Sequence, residues 1–294
     1  MRVNDKPIVL VLGAGGMLGS AVLHLFSQSS GFQTFGSLRQ SSSIYRIPNA
    51  LHRFIIEGIE AEDDNCLMQL FSNIRPDVVI NCIGLVKQVA ASCDPLSMIS
   101  INALLPHRLE RLCKQFHARL VHMSTDCVFS GLRGGYREED LTDATDLYGQ
   151  SKHLGEVYGH HAITLRTSII GHEVVKSPHS LIEWFLAQNV SISGYKHAIF
   201  SGLPAIEIAR IIRDYVIPNP ILYGVYHVAA TPISKFDLLT LVAEIYGKSI
   251  DIHEDGRLVI DRSLDAKRFN LATGYISPCW RDLIKLMHEN KYKD

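Results

Sequence analysis

The chain has 294 residues, with 29 Lys and Arg against 30 Asp and Glu, a formal charge of −1, and 47% hydrophobic residues. That balance can bury one large domain, or a domain with a smaller lobe; it excludes a disordered chain, and the lack of a basic tract argues against a nucleic-acid partner. The six cysteines form no CxxC pair and the 14 histidines are scattered, which fits reduced thiols in the cytoplasm and no metal site.

In chain order, residues 8–12 (Ile-Val-Leu-Val-Leu) are a continuous apolar run. The run is too short for a signal core or a membrane span and reads as a buried parallel strand. Residues 16–28 follow with Leu18, Val22, Leu25 and Phe26 at helical spacing. Strands are predicted at 32–36, 53–57, 77–82, 119–124 and 162–167, with helices at 64–72, 95–116 and 146–160. Strand and helix alternating in this way predict an α/β fold with a doubly wound parallel sheet. Beyond Thr167 the rhythm loosens: helices are predicted at 181–188, 203–216, 235–246 and 281–288 and a strand at 226–229. The expected division is a dinucleotide-binding domain over 1–167 and a smaller substrate lobe over 168–294, packed on the first and partly interleaved with it. No repeat or Gly/Ser-rich linker separates them.

Gly13-Ala14-Gly15-Gly16-Met17-Leu18-Gly19 joins the first strand to the first helix. Glycines at this spacing permit a tight turn, approach of backbone to a pyrophosphate and close packing of helix on strand, while the helix N-terminus offers N–H groups to phosphate. No Asp or Glu occurs between Asp5 and Glu57, where an NAD site places an acid on the ribose 2′-hydroxyl. Instead the second strand runs into Gly36-Ser37-Leu38-Arg39. A guanidinium there suits a 2′-phosphate, so NADP(H) is the expected cofactor and Arg39 its ligand.

Tyr148-Gly149-Gln150-Ser151-Lys152 places a phenol and an ammonium one helical turn apart. A Tyr can protonate a carbonyl oxygen as hydride reaches its carbon, and a Lys beside it is expected to lower the phenol's pKa. His122-Met123-Ser124-Thr125-Asp126 ends the fifth predicted strand, where Thr125, or Ser124 after it, can bond the same carbonyl. Asp126 is read as a turn cap, Glu156 as a helix ion pair, Cys82 and Cys127 as small buried hydrophobes, and Trp184 and Trp280 as packing residues.

The Gly13–Gly19 turn, Asn81-Cys82-Ile83-Gly84, Ser124-Thr125-Asp126-Cys127-Val128-Phe129-Ser130-Gly131 and Tyr148-Gly149-Gln150-Ser151-Lys152 with Gly155-Glu156 resemble extended short-chain dehydrogenases, nearest to the dTDP-4-dehydrorhamnose reductases. Leu165-Arg166-Thr167-Ser168 and Arg262-Ser263-Leu264-Asp265 resemble that group's substrate-side segments. The resemblance implies an NADPH-dependent reductase of a nucleotide-linked 4-keto-6-deoxy sugar, with Thr125, Tyr148 and Lys152 catalytic. It implies Gly13, Gly16, Met17, Leu18, Arg39, Cys82, Ile83, Gly84 and Asn102, with Tyr148 and Lys152, around the cofactor. Lys87, Thr125, Arg166 and Arg262 fall on the substrate side. Met17, Cys127 and the run Gly84-Leu85-Val86-Lys87-Gln88 depart from the rhamnose enzymes and bear on which sugar is reduced. The alternatives are an epimerase or dehydratase holding NAD tightly, and a non-catalytic NADP-binding subunit like the regulatory β subunit of methionine adenosyltransferase. No membrane partner is expected, and the assembly to test is a homodimer.

Overall fold

The computed structural model describes residues 6–86, 94–174 and 180–291. The first apolar run is strand β1 (Ile8–Leu12), with every residue buried. Such burial on both faces is what a central parallel strand requires. β2 (Gln33–Ser37), β3 (Ile55–Ile56), β4 (Val78–Asn81), β5 (Arg119–Thr125), β6 (Ala162–Thr167) and β7 (Gly224–His227) join it. The seven strands are parallel, in the order β3-β2-β1-β4-β5-β6-β7. The direction of winding reverses between β1 and β4, which opens a crevice at their carboxyl ends.

Alternation along β1 assigns the two layers. Val9 and Val11 face α1 (Met17–Ser27) and the later helix Ala205–Ile211, with Ile80, Val121 and Leu165. Leu10 and Leu12 face α2 (Asp64–Ile74) and α3 (95–115), with Val79 and Leu120. Each fully buried side chain of this kind contributes roughly 1.5–3 kcal/mol. α3 runs as Pro95–Met98, a π-helical stretch Ile99–Leu104 and Leu105–Gln115. The sequence pattern there reads as one uninterrupted helix; the wide stretch carries Asn102, whose side chain is fully buried.

α4 (Leu147–Leu154) is shorter than the predicted 146–160. It stops at Gly155, where a Cβ would overlap the carbonyl oxygen of Asn102. The chain then turns inward and carries Glu156 into the core, only 2% exposed, instead of leaving it on the helix surface.

After Thr167 the chain adds α5 (Leu181–Ala187), α6 (Ala205–Ile211), α7 (Lys235–Tyr246), α8 (Lys267–Thr273) and α9 (Trp280–Glu289). Residues 203–216, predicted as one helix, comprise a short strand Leu203–Pro204, then α6, then a π-helical stretch Ile212–Val216. Arg119 donates from Nη1 to the carbonyl of Val216 (2.6 Å) and from Nη2 to that of Leu222 (2.9 Å), so the end of that stretch is satisfied by a side chain from β5. A separate cluster of Ile182, Phe185, Leu238, Val242 and Ile284 holds α5, α7 and α9 together, beside short strands at Ile192–Tyr195, Ala198–Phe200, Ile252–Asp255 and Ile260–Asp261. Trp184 and Trp280 pack against this cluster. Among the described residues no helix is long and apolar enough to cross a membrane.

Candidate active site

The glycine turn is built as its spacing implies. Gly13 has φ +80°, a region L side chains avoid, and Gly16 N donates to its carbonyl (3.1 Å). A Cβ on Gly19 would overlap that same carbonyl, so only glycine lets α1 approach the turn this closely. α1 begins at Gly16 with no side-chain cap and no acid in its first turn, which leaves its N–H groups for an anion. A cavity of about 630 Å³ opens over this turn, lined by Gly15, Gly16, Met17 and Leu18 and, across the crevice, by Cys82, Ile83 and Gly84. Bare backbone, a fixed turn and an uncapped helix end fit the pyrophosphate of a dinucleotide. Gly13 supports the floor of the turn and does not line the cavity. Arg39 follows β2, exposed.

The wall after β4 is held by two amides. Asn81 Oδ1 accepts from Ile83 N (3.1 Å), and Asn102 accepts from Leu85 N (2.9 Å) while donating to Leu85 O (3.0 Å). Asn102 Nδ2 also meets Met98 Sδ (2.9 Å) and Ser151 Oγ (3.3 Å). This corrects the expected direct cofactor contact of Asn102: its amide is committed to protein partners, and it shapes the cavity only through Leu85. Lys87 lies outside the described residues.

The reacting end is formed by β5 and α4. Thr125 ends β5, its Oγ1 accepting from Cys127 N (3.1 Å) and donating to Asp126 Oδ1 (3.1 Å). Thr125 is thus the cap of the turn, a part expected of Asp126. α4 is capped by Asp146, which accepts from Gly149 N (2.9 Å). A Cβ on Gly149 would overlap the Cys127 carbonyl, so this glycine brings Tyr148 and Thr125 together. Thr125, Tyr148 and Lys152 all line the cavity.

Burial raises the Tyr148 phenol above its ordinary pKa; Cys127, Asp126 and Asp146 add to the rise, and a hydrogen bond with Thr125 opposes it. The net direction is upward, against the lowering expected beside Lys152. Lys152, 6% exposed, donates from Nζ to the Met123 carbonyl (2.6 Å). Burial pulls its own pKa down to about 8, against the charge of Glu156. In this geometry the phenol is a firmly protonated acid, and the ammonium is a buried cation able to release its proton near neutrality. Cys82 is likewise pushed up to about 12 by burial, leaving an inert thiol on the cavity wall.

Arg166, expected at the substrate, is 3% exposed and does not line the cavity. It grips Glu156 in a fork, Nε to Oε1 at 2.6 Å and Nη2 to Oε2 at 2.7 Å, and Nη1 donates to His227 Nε2 (3.2 Å). Arg262 does line the cavity, its Nε donating to the Phe129 carbonyl (2.7 Å). Lys235, at the start of α7, also lines it and was missed: nothing in the pattern of 235–246 says that this helix begins at the mouth of the crevice.

The family profile described as RmlD substrate binding domain matches residues 7–252. This chain belongs to that family. Among curated relatives of this RmlD-family chain is dTDP-4-dehydrorhamnose reductase of Aggregatibacter actinomycetemcomitans, 23% identical over 78% of this chain and 76% of the relative. Methionine adenosyltransferase 2 subunit beta of Bos taurus is 27% identical over 50% of this chain and 41% of the relative. The chain thus spans less than half the length of the second relative. The structure of dTDP-4-dehydrorhamnose reductase from Bacillus anthracis in complex with NADP superposes with a TM-score of 0.79 at 19% identity, covering 99% of this chain and 100% of that one. This establishes the extended short-chain dehydrogenase fold for the whole RmlD-family chain.

Proposed function

We propose that this chain is an NADPH-dependent reductase of a nucleotide-linked 4-keto-6-deoxy sugar. The observation that carries the reading is Tyr148 and Lys152, one turn apart on α4, lining the same cavity as Thr125 and the glycine turn. NADPH, when bound, supplies the hydride to the keto carbon. Gly15, Gly16, Met17 and Leu18 hold its pyrophosphate and Cys82, Ile83 and Gly84 its sugar side. Tyr148 donates its proton to the ketone oxygen; Thr125 turns its one hydroxyl hydrogen from Asp126 to that oxygen; Lys152 is the cation that offsets the phenolate left behind. The test is NADPH consumption with a panel of nucleotide 4-keto-6-deoxy sugars. A protein that purifies with NAD bound and oxidises no NADPH is instead an epimerase or dehydratase; one that binds NADP(H) and turns over nothing is a regulatory subunit.

Two further outcomes belong to this reading. Arg39→Ala raises KM for NADPH about 10- to 100-fold, the worth of one charge-assisted hydrogen bond to the 2′-phosphate, and leaves KM for NADH unchanged. Equal effects on both cofactors would remove Arg39 from the site. Lys152 has a depressed pKa of about 8, so its charge is present below that pH and lost above it. The profile of kcat/KM therefore falls as pH rises through about 8, and a flat profile to pH ~10 would contradict the role of the ammonium.

The segments after Thr167 are assigned to the substrate side, since Leu181, Ile199, Phe200, Lys235, Ile260 and Arg262 close the cavity. A homodimer is proposed through α3 and the end of α4, where Leu96, Leu104, Leu154 and Tyr158 are exposed. Sedimentation of wild type against Leu104→Glu with Leu154→Glu decides it, a monomeric wild type ruling it out. Cys66, Cys82, Cys113 and Cys279 are free thiols, and a cytoplasmic site is the reading they support.

A further inference from the structure

His122 is fully buried in β5, and the reduction as described does not use it. Side chains alternate along a strand, so it lies on the same side of the sheet as Leu120, toward α2 and α3, and as Ser124, whose hydroxyl donates to Glu156 Oε1 (2.8 Å). Its protonation follows from its neighbours. The backbone N–H of Ile83 can only donate, so the atom of Asn81 it meets is Oδ1, and Nδ2 is the atom that faces His122 Nδ1 (3.1 Å). An amide nitrogen donates and does not accept, so Nδ1 carries the lone pair and the one ring proton sits on Nε2. Burial and the charge of Lys152 keep the ring from taking up a second proton. Nε2–H is therefore a fixed donor, and no described residue accepts from it. Lys152 approaches the same strand one residue on, where its Nζ donates to the Met123 carbonyl. No hydrogen bond joins Nε2 and Nζ, as is required of two donors.

We propose that His122 is the positioning residue of Lys152: its Nε2–H donates to the lone pair of the Lys152 amine whenever the ammonium has given up its proton. The inference rests on the reductase reading for the use of that proton, but not for the pairing itself. An ammonium has three N–H groups and no lone pair, so a fixed donor beside it is repelled; a neutral amine keeps its bond to the Met123 carbonyl and offers one lone pair. The donor thus disfavours the charged form and favours the neutral one. In the reduction the proton passes from Lys152 to the Tyr148 phenolate: one N–H bond breaks, one O–H bond forms, and both groups end neutral. The amine takes a proton back from solvent when product leaves. The other groups that face Lys152 are Tyr148 on its own helix, Cys82 after β4 and Glu156 beyond the end of α4, while His107 of α3 acts on His122. Glu156 works in the opposite sense, since a carboxylate favours the ammonium, but both its oxygens are held in the Arg166 fork.

The experiment titrates the full chain, with NADP+ bound and its histidines isotope-labelled, and follows the Nε2–H signal of His122 by NMR. The signal is assigned by its loss in His122→Phe. Between about pH 6 and pH ~10 it is expected to stay protected from exchange and to move in one step, and to stand still in Lys152→Met. A ring that only fills space gives no such step. In the kinetic arm, the alkaline limb of the kcat/KM profile, expected near 8 in wild type, moves upward in His122→Phe by about half to one pH unit, the worth of one hydrogen bond. A drier pocket alone would move it downward, since burial disfavours an ammonium. His122→Gln, whose amide nitrogen reaches the place of Nε2, is expected to bring the limb most of the way back. Melting temperature and NADP+ affinity show that each variant is folded. A His122 signal that ignores pH, or that titrates equally in Lys152→Met, overturns the pairing. So does a limb that stays in place in His122→Phe, or one no nearer to wild type in His122→Gln than in His122→Phe. If the signal follows Lys152 while wild type reduces no sugar of the panel, the pairing stands and the reductase reading falls. If wild type is active and the signal does not follow Lys152, the reductase reading stands and the pairing falls.

Discussion

Tyr148→Phe is expected to lower kcat by about 10²- to 10⁴-fold while leaving NADPH affinity within about twofold of wild type. The substitution keeps the ring that fills the wall of the cavity and removes only the hydroxyl. Thr125 and Lys152 remain: Thr125 is held by Cys127 N and Asp126, and Lys152 by the Met123 carbonyl. What disappears is the proton that the ketone oxygen must receive. Because burial raises the Tyr148 pKa, the phenol of the resting enzyme stays protonated well beyond neutral pH. The loss is therefore of a loaded acid and persists across the whole physiological range. Stopped-flow single turnovers with saturating NADPH isolate the step from product release. A variant with wild-type single-turnover rate would take Tyr148 out of the chemistry. A variant with normal kcat and a raised KM would make the hydroxyl a binding group only.

Much of this site is visible in the linear pattern. β1 is a five-residue apolar run because it is buried on both faces, and the glycine turn after it has one geometric solution. Tyr148 and Lys152 share a face because a helix has 3.6 residues per turn. The misread residues are those whose partners are brought by tertiary packing. Glu156 lies four residues after Lys152, which reads as a pair on one helix, but α4 ends at Leu154 and the carboxylate turns to Arg166. Asn102 carries no mark of the π-helical stretch that aims it at Leu85. Lys235 and Arg262 come from segments whose approach to the crevice depends on the packing of α7 and on the turn at Gly131.

Glu156→Gln is expected to destabilise the fold by about 3–5 kcal/mol, because it leaves the Arg166 guanidinium charged, buried and without its counter-charge. Besides the Phe129 ring below it, the other partner of the guanidinium is His227, which burial and Arg166 itself hold down at about 4. Its Nδ1 meets the Tyr136 carbonyl (3.0 Å) and its Nε2 accepts from Arg166, so this imidazole is neutral and its tautomer is set. No neighbour can replace the carboxylate. A loss of this size in a chain this long lowers the melting temperature on the order of 10 °C. The pH dependence has a definite sign. Burial by itself would raise the Glu156 pKa; the hydrogen bonds from Arg166, His153 and Ser124 outweigh it and hold the group at about 2. A carboxylate depressed in the folded state stabilises fully above its unfolded pKa of about 4.3, and the contribution fades as pH falls toward about 2. Wild type should lose stability over that acid window, and the Glu156→Gln variant should lose less. Replacing both partners, Glu156→Gln with Arg166→Met, should recover part of the melting temperature, since it removes the stranded charge. The kinetic readout separates this role from substrate binding: at temperatures where Arg166→Met remains folded, KM for the sugar nucleotide stays within about threefold of wild type. A large rise in KM with an unchanged melting temperature would return Arg166 to the substrate pocket, against the 3% exposure and the fork it makes with Glu156.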